Sequence, residues 1–250
     1  MGQFVTKVPV LDHGFVILRN LAGPTRRLYE DEEFGSIGRP REFDADDIDP
    51  ANAARMSFDQ MDAGRTREDD LKLCEYLIKN KHTSPFEMVQ IWIEMKIPIF
   101  VARQLVRHRT ARLNEMSARY VTLPEEWYIP EVVGGKAPNK KQGQEDNLSS
   151  DDQSWFKMNL NESCYQDYQK YLEAIDRGIA PEHARLLLHL NHYTHWIWNQ
   201  DLHNIMHLLM LRDHGHAQIE AQKYTQAIIA LLRMRLPNSM ALFDKYVRMK

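Results

Sequence analysis

Between Arg107 and Tyr120 the chain reads RHRTARLNEMSARY, setting four arginines and a histidine around a single carboxylate, Glu115. Guanidinium groups are planar, permanently charged and weakly hydrated, so they hold phosphate bidentately even where the site is partly dry. A run of charge is more often a solvated face or an ion-pair network. Here Asn114, Glu115, Ser117 and Tyr120 add donors and acceptors that suit a planar heterocycle as well as an anion. A nucleotide or cofactor phosphate is the expected ligand.

Other reactive residue types argue less. Eight of the eleven histidines fall between His183 and His216, with His189, His192 and His195 at three-residue steps and His203 four residues before His207. Such spacing can bind zinc, yet Asn204 stands where a metalloprotease helix carries glutamate, and carboxylates are sparse nearby. No metal is expected, and the histidines are read as hydrogen-bonded between elements or to an organic ligand. Cys74 and Cys164 form no CxxC pair and no disulfide framework, and each recurs with apolar neighbours at helical spacing. Both are read as core residues rather than nucleophiles. Neither a GxGxxG nor a Walker lysine motif occurs, so any phosphate must rest on arginine side chains.

The elements that would position these groups can be read in outline. VPVLDHGFVILRN alternates as a strand, and the acidic stretch 30–49 reads as a surface excursion. Thr66 caps a helix running through Lys81, with Glu68, Asp69 and Asp70 in its first turn. HTSPFE is a turn; residues 90–96 alternate as a half-buried strand with Trp92 on its polar side. Pro98 opens a helix that turns Phe100, Val101, Leu105 and Val106 inward and carries Arg103, Gln104, Arg107 and His108 on a shared flank. Residues 134–154 read as an exposed loop. A helix over 151–177 ends at Gly178, and further helices follow over 181–190, 201–213 and 217–235. An α+β (mixed α/β) fold is expected, one domain over 1–250 with a small early sheet and a helix-rich C-terminal half.

With 32 basic against 35 acidic residues the net charge is −3, which argues against a polymeric nucleic-acid partner. No apolar run approaches the roughly 20 residues that cross a bilayer, and the first residues lack a signal-peptide pattern. No membrane partner and a cytoplasmic location are expected.

The segment Arg107–Arg119 resembles the signature of the flavin-dependent thymidylate synthase family: Arg-His-Arg, two variable residues, Ser, one variable, Asn-Glu, one variable, Ser, one variable, Arg. Arg112 occupies the serine position; every other fixed position matches. The resemblance extends to ARMSF at 54–58, HTSPFE at 82–87, PIFVARQ at 98–104 and LRDHGHAQ at 211–218. It implies an enzyme that methylates dUMP to dTMP in dTMP biosynthesis, with FAD as cofactor, 5,10-methylenetetrahydrofolate as carbon donor and NADPH as reductant. It also implies a homotetramer with shared active sites. By the same resemblance Ser84, Arg107, His108, Arg109, Glu115, Asp201, Leu202, His203 and His207 would contact the flavin, although asparagine is frequent in the family at positions 201 and 207. Gln104, Arg107, Glu115, Met116, Ser117, Ala118, Arg119 and Arg185 would surround dUMP, and Arg212 would activate the pyrimidine.

The chemistry needs such an arginine. Uracil C5 is a poor nucleophile, and one route to activate it adds a thiolate at the neighbouring carbon. No plausible thiolate is present, so hydride addition would place enolate charge on the pyrimidine oxygens, where a fixed guanidinium meets it. Arg212 paired with Asp213 or Glu220 as a helix-terminal ion pair is the competing reading. Two other functions remain open on sequence: a non-catalytic nucleotide or RNA module, and a histidine-dependent metal hydrolase. Neither accounts for HTSPFE or the block around Arg212.

Overall fold

Apolar alternation over residues 90–98 demands a strand buried on one side, and the computed structural model, which describes residues 7–24, 45–60, 65–137, 143–145, 147–215 and 217–248, builds its sheet around it. In chain order, β1 (Lys7–Val10) and β2 (Gly14–Ala22) form a hairpin. α1 (Asp49–Arg55), α2 (Arg67–Lys79) and α3 (Ser84–Glu87) lead to β3 (Gln90–Pro98), then α4 (Ile99–Leu105) and β4 (Arg112–Glu115). A two-stranded ribbon, β5 (Gly135–Lys136) and β6 (Gln144–Glu145), precedes α5 (Ser150–Asp176) and α6 (Pro181–Ala184). β7 (Tyr193–Asp201), α7 (Leu202–Arg212), α8 (Ile219–Arg235) and α9 (Pro237–Tyr246) complete the described chain. The fold is α+β.

The main sheet is antiparallel throughout, in the order β1-β2-β3-β7-β4. One face carries Ile91, Ile93, Met95 and Ile97 from β3 with Trp196 and Trp198 from β7, and it packs into a core with α7 and α8. Gly14 permits this packing: a Cβ there would lie 2.1 Å from the Tyr224 hydroxyl. That hydroxyl, from α8, donates to the Lys96 carbonyl at 2.6 Å. Cys74 and Cys164 are both buried, and burial pushes the Cys74 thiol up to about 12, which keeps it protonated and inert.

Several expected elements hold. Thr66 caps α2 by accepting from the Asp69 amide at 3.2 Å. Gly178 ends α5 in the left-handed region at φ 78°, where a Cβ is costly. Ile179 then donates to the Ala174 carbonyl at 2.9 Å.

Other expectations are corrected. The first alternating stretch is two strands, broken at Leu11 with φ 59°. HTSPFE contains a helical turn, α3, because Pro85 fits its first turn. The end of the acidic stretch is not a surface excursion: Asp47 is buried and accepts from the backbone amides of Asn238 and Ser239 at 3.0 and 2.7 Å, capping α9. Residues 25–44, which hold the rest of it, lie outside the described residues. The 134–154 segment is not a plain exposed loop, since it contains β5 and β6 with Gly135 and Ala137 buried, and α5 already begins at Ser150. Within 181–190 only one turn of α-helix forms, followed by a 3-10 turn at Arg185–Leu187. The sheet is not confined to the first half, because β7 enters it late and sits between β3 and β4.

Candidate active site

The arginine-rich segment is held by polar bonds to β7 rather than by burial. α4 stops at Leu105, so Arg107 and His108 leave from the turn after it and not from a helical flank. Val106 is correspondingly 43% exposed instead of facing inward. The chain then runs antiparallel to β7 as β4, placing Arg112 opposite Asn199 and Glu115 opposite Trp196. The Thr194 hydroxyl donates to the Glu115 carboxylate, and the Met116 amide donates to the His195 carbonyl at 2.8 Å. At the other end Gln200 donates to the Thr110 hydroxyl at 2.8 Å, and Arg112 to the Asn199 side-chain oxygen at 3.2 Å. Ser117 turns the chain after β4, its carbonyl accepting from Tyr120 at 2.9 Å and its hydroxyl from Arg119 at 3.2 Å. Ala118 is buried beneath this turn.

Among the described residues Arg107, Arg109 and Arg185 are exposed and have no carboxylate partner. Arg119 meets Glu182 of α6 at 3.5 Å, with both side chains about half exposed. Solvated charge of one sign with so few counter-ions is the arrangement of an anion site.

Arg212, at the end of α7, is half-buried. Its Nε donates to His108 Nε2 and its Nη2 to the Gln104 carbonyl, both at 3.4 Å. The Gln104 amide is itself bonded to Gln218. The competing ion pairs are otherwise engaged: Asp213 pairs with Arg248, and Glu220 accepts from the Tyr128 hydroxyl at 3.3 Å. Burial, then the neighbouring Arg212 charge and His207, push His108 down to about 4. The imidazole is thus neutral and able to accept from Arg212, whose charge meets no carboxylate among the described residues. His207 stands edge-on to His108 with ring centroids 6.3 Å apart.

The remaining sequence candidates separate. His203 and His207 line a cavity of about 310 Å³ together with Lys79, Lys81, His82 and Thr83, beside Ser84 at the start of α3. Asp201 caps α7, accepting from the Asn204 amide at 2.9 Å and its side chain at 2.7 Å, so both carboxylate oxygens serve its own helix. Leu202 is fully buried and its amide donates to Val89, leaving it little to offer a ligand. Sequence reasoning missed Thr194, Gln200 and Gln218. The first two are polar residues on the apolar side of an alternating strand, a signal that the chain did carry.

The histidines at three-residue steps diverge. His189 bonds Asp167 at 2.7 Å, His192 is buried against Trp127 and Tyr168, and His195 bonds Glu94 at 2.7 Å on the opposite face of the sheet from Thr194. Among the described residues no group of three or more potential ligands is placed to hold a metal ion.

Residues 42–238 match the family described as Thymidylate synthase complementing protein. The chain is similar to the flavin-dependent thymidylate synthases of Gluconobacter oxydans, 37% identical over 96% of this chain and 73% of that one, and of Thermus thermophilus, 38% identical over 96% and 79%. Its fold is similar to that of the UMP/dUMP methylase PolB from Streptomyces cacaoi, solved with 5-Br dUMP, at a TM-score of 0.77 and 24% identity over 96% of this chain and 98% of that one. By its sequence over most of its length, this chain belongs to the thymidylate synthase complementing protein family.

Proposed function

We propose that this protein is a flavin-dependent thymidylate synthase that methylates dUMP to dTMP, with FAD bound and with 5,10-methylenetetrahydrofolate and NADPH as co-substrates. The observation that carries the reading is Arg212, a half-buried guanidinium held by neutral His108 and the Gln104 carbonyl, with no carboxylate partner among the described residues. The donor set fits the cofactor: Arg107 and Arg109, exposed and without a carboxylate partner among the described residues, suit its phosphates, and the cavity beside Ser84, His203 and His207 has walls for a flat ring. FAD, when bound, supplies hydride to the pyrimidine. Arg212 then meets the charge that develops on the pyrimidine oxygens, and it does so without proton exchange. Arg119 and Arg185, on neighbouring turns, take the dUMP phosphate. Glu115, oriented by Thr194, accepts from the bound nucleotide, with Ser117 and the Met116–Ala118 backbone beside it.

Sharing of the site between copies is part of the proposal. Antiparallel register puts Leu113 and Glu115 on the core side of the sheet and Arg112 and Asn114 on the other, with Trp92, Ile197 and Asn199. One ligand cannot reach both faces of one protomer, so a homotetramer, whose copies bring both faces of the signature to a site, accounts for the whole segment. No helix among the described residues is long and apolar enough to cross a membrane, which accords with the cytoplasmic location we assign to a one-domain enzyme.

Anaerobic incubation with FAD, NADPH, methylenetetrahydrofolate and dUMP should yield dTMP, and none when FAD alone is stripped and withheld. A folded, flavin-loaded protein that forms no dTMP would overturn the proposal.

A further inference from the structure

A second cavity, of about 560 Å³, opens between the chain after Pro130, the ribbon of β5 and β6, the first turns of α5 and the start of α8, and none of the residues assigned to dUMP or FAD lines it. Its walls are pinned: the Gln153 side-chain oxygen on α5 accepts from the Val133 amide at 3.1 Å, and Lys157 donates to the Glu131 carbonyl. Glu220, 9% exposed, lines the cavity from the first turn of α8. One of its oxygens accepts from the Tyr128 hydroxyl at 3.3 Å; the other, Oε2, has no donor among the described residues. Asp47, also buried, accepts by contrast from three donors on Asn238 and Ser239. A helix's first turn favours a carboxylate, which accounts for the charge of Glu220 but not for burying it with an idle oxygen, a costly arrangement unless a donor completes it. Trp155, 64% exposed, and Phe156, exposed as well, line the same cavity and present aromatic surface to solvent beside the carboxylate. Asp152 lines it too, with one oxygen taken by the Ser149 hydroxyl at 2.7 Å. The sole cation of the lining is Lys136, exposed and meeting no carboxylate among the described residues.

We infer that this cavity binds a small, flat organic cation, an amidinium or guanidinium group on an apolar body, with the cation on Glu220 and the body against Trp155 and Phe156. The forked N–H edge of such a group can reach Oε2 and share Oε1 with Tyr128, since a carboxylate oxygen accepts more than one bond. Flat and weakly hydrated, it also stacks on aromatic faces, which a compact ammonium does less well. Ligand cavities commonly measure about 300 to 1,000 Å³, so the space here takes the cation together with its apolar body.

Calorimetric titration of the full chain, FAD present, with benzamidine and with benzamide separates charge from shape, and the readout does not involve dTMP formation. Benzamidine should bind about tenfold more tightly than benzamide, a ratio equal to about 1.4 kcal/mol and expected where a charged hydrogen bond replaces a neutral one. Glu220→Gln keeps an acceptor for Tyr128 and should lose the ratio. Trp155→Ala, at an exposed position, should fold as the parent does and weaken benzamidine about threefold. Lys136→Ala should change benzamidine affinity little. Binding of benzamidine only once Lys136 is removed would make the lysine the partner of Glu220 and overturns the inference. Equal binding of the two probes overturns it as well, as does a benzamidine affinity indifferent to Glu220→Gln or to Trp155→Ala.

Discussion

β3 and β4 flank the same strand, β7, and are built on opposite principles. β3 alternates half-exposed and buried residues over nine positions, with Ile91, Met95 and Ile97 fully buried, whereas all four residues of β4 are exposed. Burial anchors the first; the second is fastened by Thr194, Asn199 and the His195 carbonyl. Separating the two jobs lets the arginine-bearing strand carry charge without placing that charge in the core, where it would have to be paired or neutralised.

Substitutions should expose this division. Ile93→Ala leaves a cavity at the centre of the sheet and should cost about 4 kcal/mol of stability, while Leu113→Ala on β4, with Leu113 42% exposed, should cost far less. Urea unfolding of both variants measures the contrast, and equal losses would break it. Arg212→Ala should leave stability and flavin content near those of the parent and lower kcat by about a hundredfold, in line with the loss of one preorganised charge donor. Turnover unchanged by that substitution removes Arg212 from the chemistry.

Acid should act both beside β4 and outside the two strands. His108 beside the site and His192 in its aromatic cluster are each pushed down from 6.5 to about 4, mainly by burial, so both are folded in the neutral form. Their contribution to stability is whole above about pH 6.5 and is lost as pH falls toward 4, because the unfolded chain binds the protons first. Urea midpoints between pH 7 and 5 should fall, and His192→Phe should flatten that slope. Thr194→Val removes the hydroxyl that orients Glu115 and should cost about 1 kcal/mol while raising the KM for dUMP more than it lowers kcat. Smallest of all, Arg112→Ser gives up one exposed bond to Asn199 and should change stability by less than about 0.5 kcal/mol; a large fall in Tm would mean that β4 depends on it.

What the sequence disclosed follows the same division. α2, α5 and β3 were legible because caps, Gly178 and a two-residue apolar period are local signals. β4 was not, since RLNE has no period of its own and becomes a strand only through a partner far along the chain. β7 carried its alternation in Thr194, Trp196, Trp198 and Gln200, but the histidines at three-residue steps have a metal-like spacing that the chain breaks up, since only His195 lies within the strand. The phosphate-suited arginines and Arg212 could be named from their motif. That His108 keeps Arg212 company as a neutral acceptor, and that Thr194 sets Glu115, depended on contacts 104 and 79 positions apart in the chain.

The position of β7 between β3 and β4 sets a timetable for synthesis. The cationic segment leaves the ribosome roughly eighty residues ahead of the strand it must pair with, which at common elongation rates of about 5 to 20 residues per second leaves it unpaired for about 4 to 16 s. The hairpin of β1 and β2 can meet β3 in that interval, and the half-sheet so formed waits for β7 to close it. The candidate site is therefore among the last parts of the molecule to exist, and a nascent chain halted before Tyr193 would display its arginines to every polyanion it met with no means of folding them away.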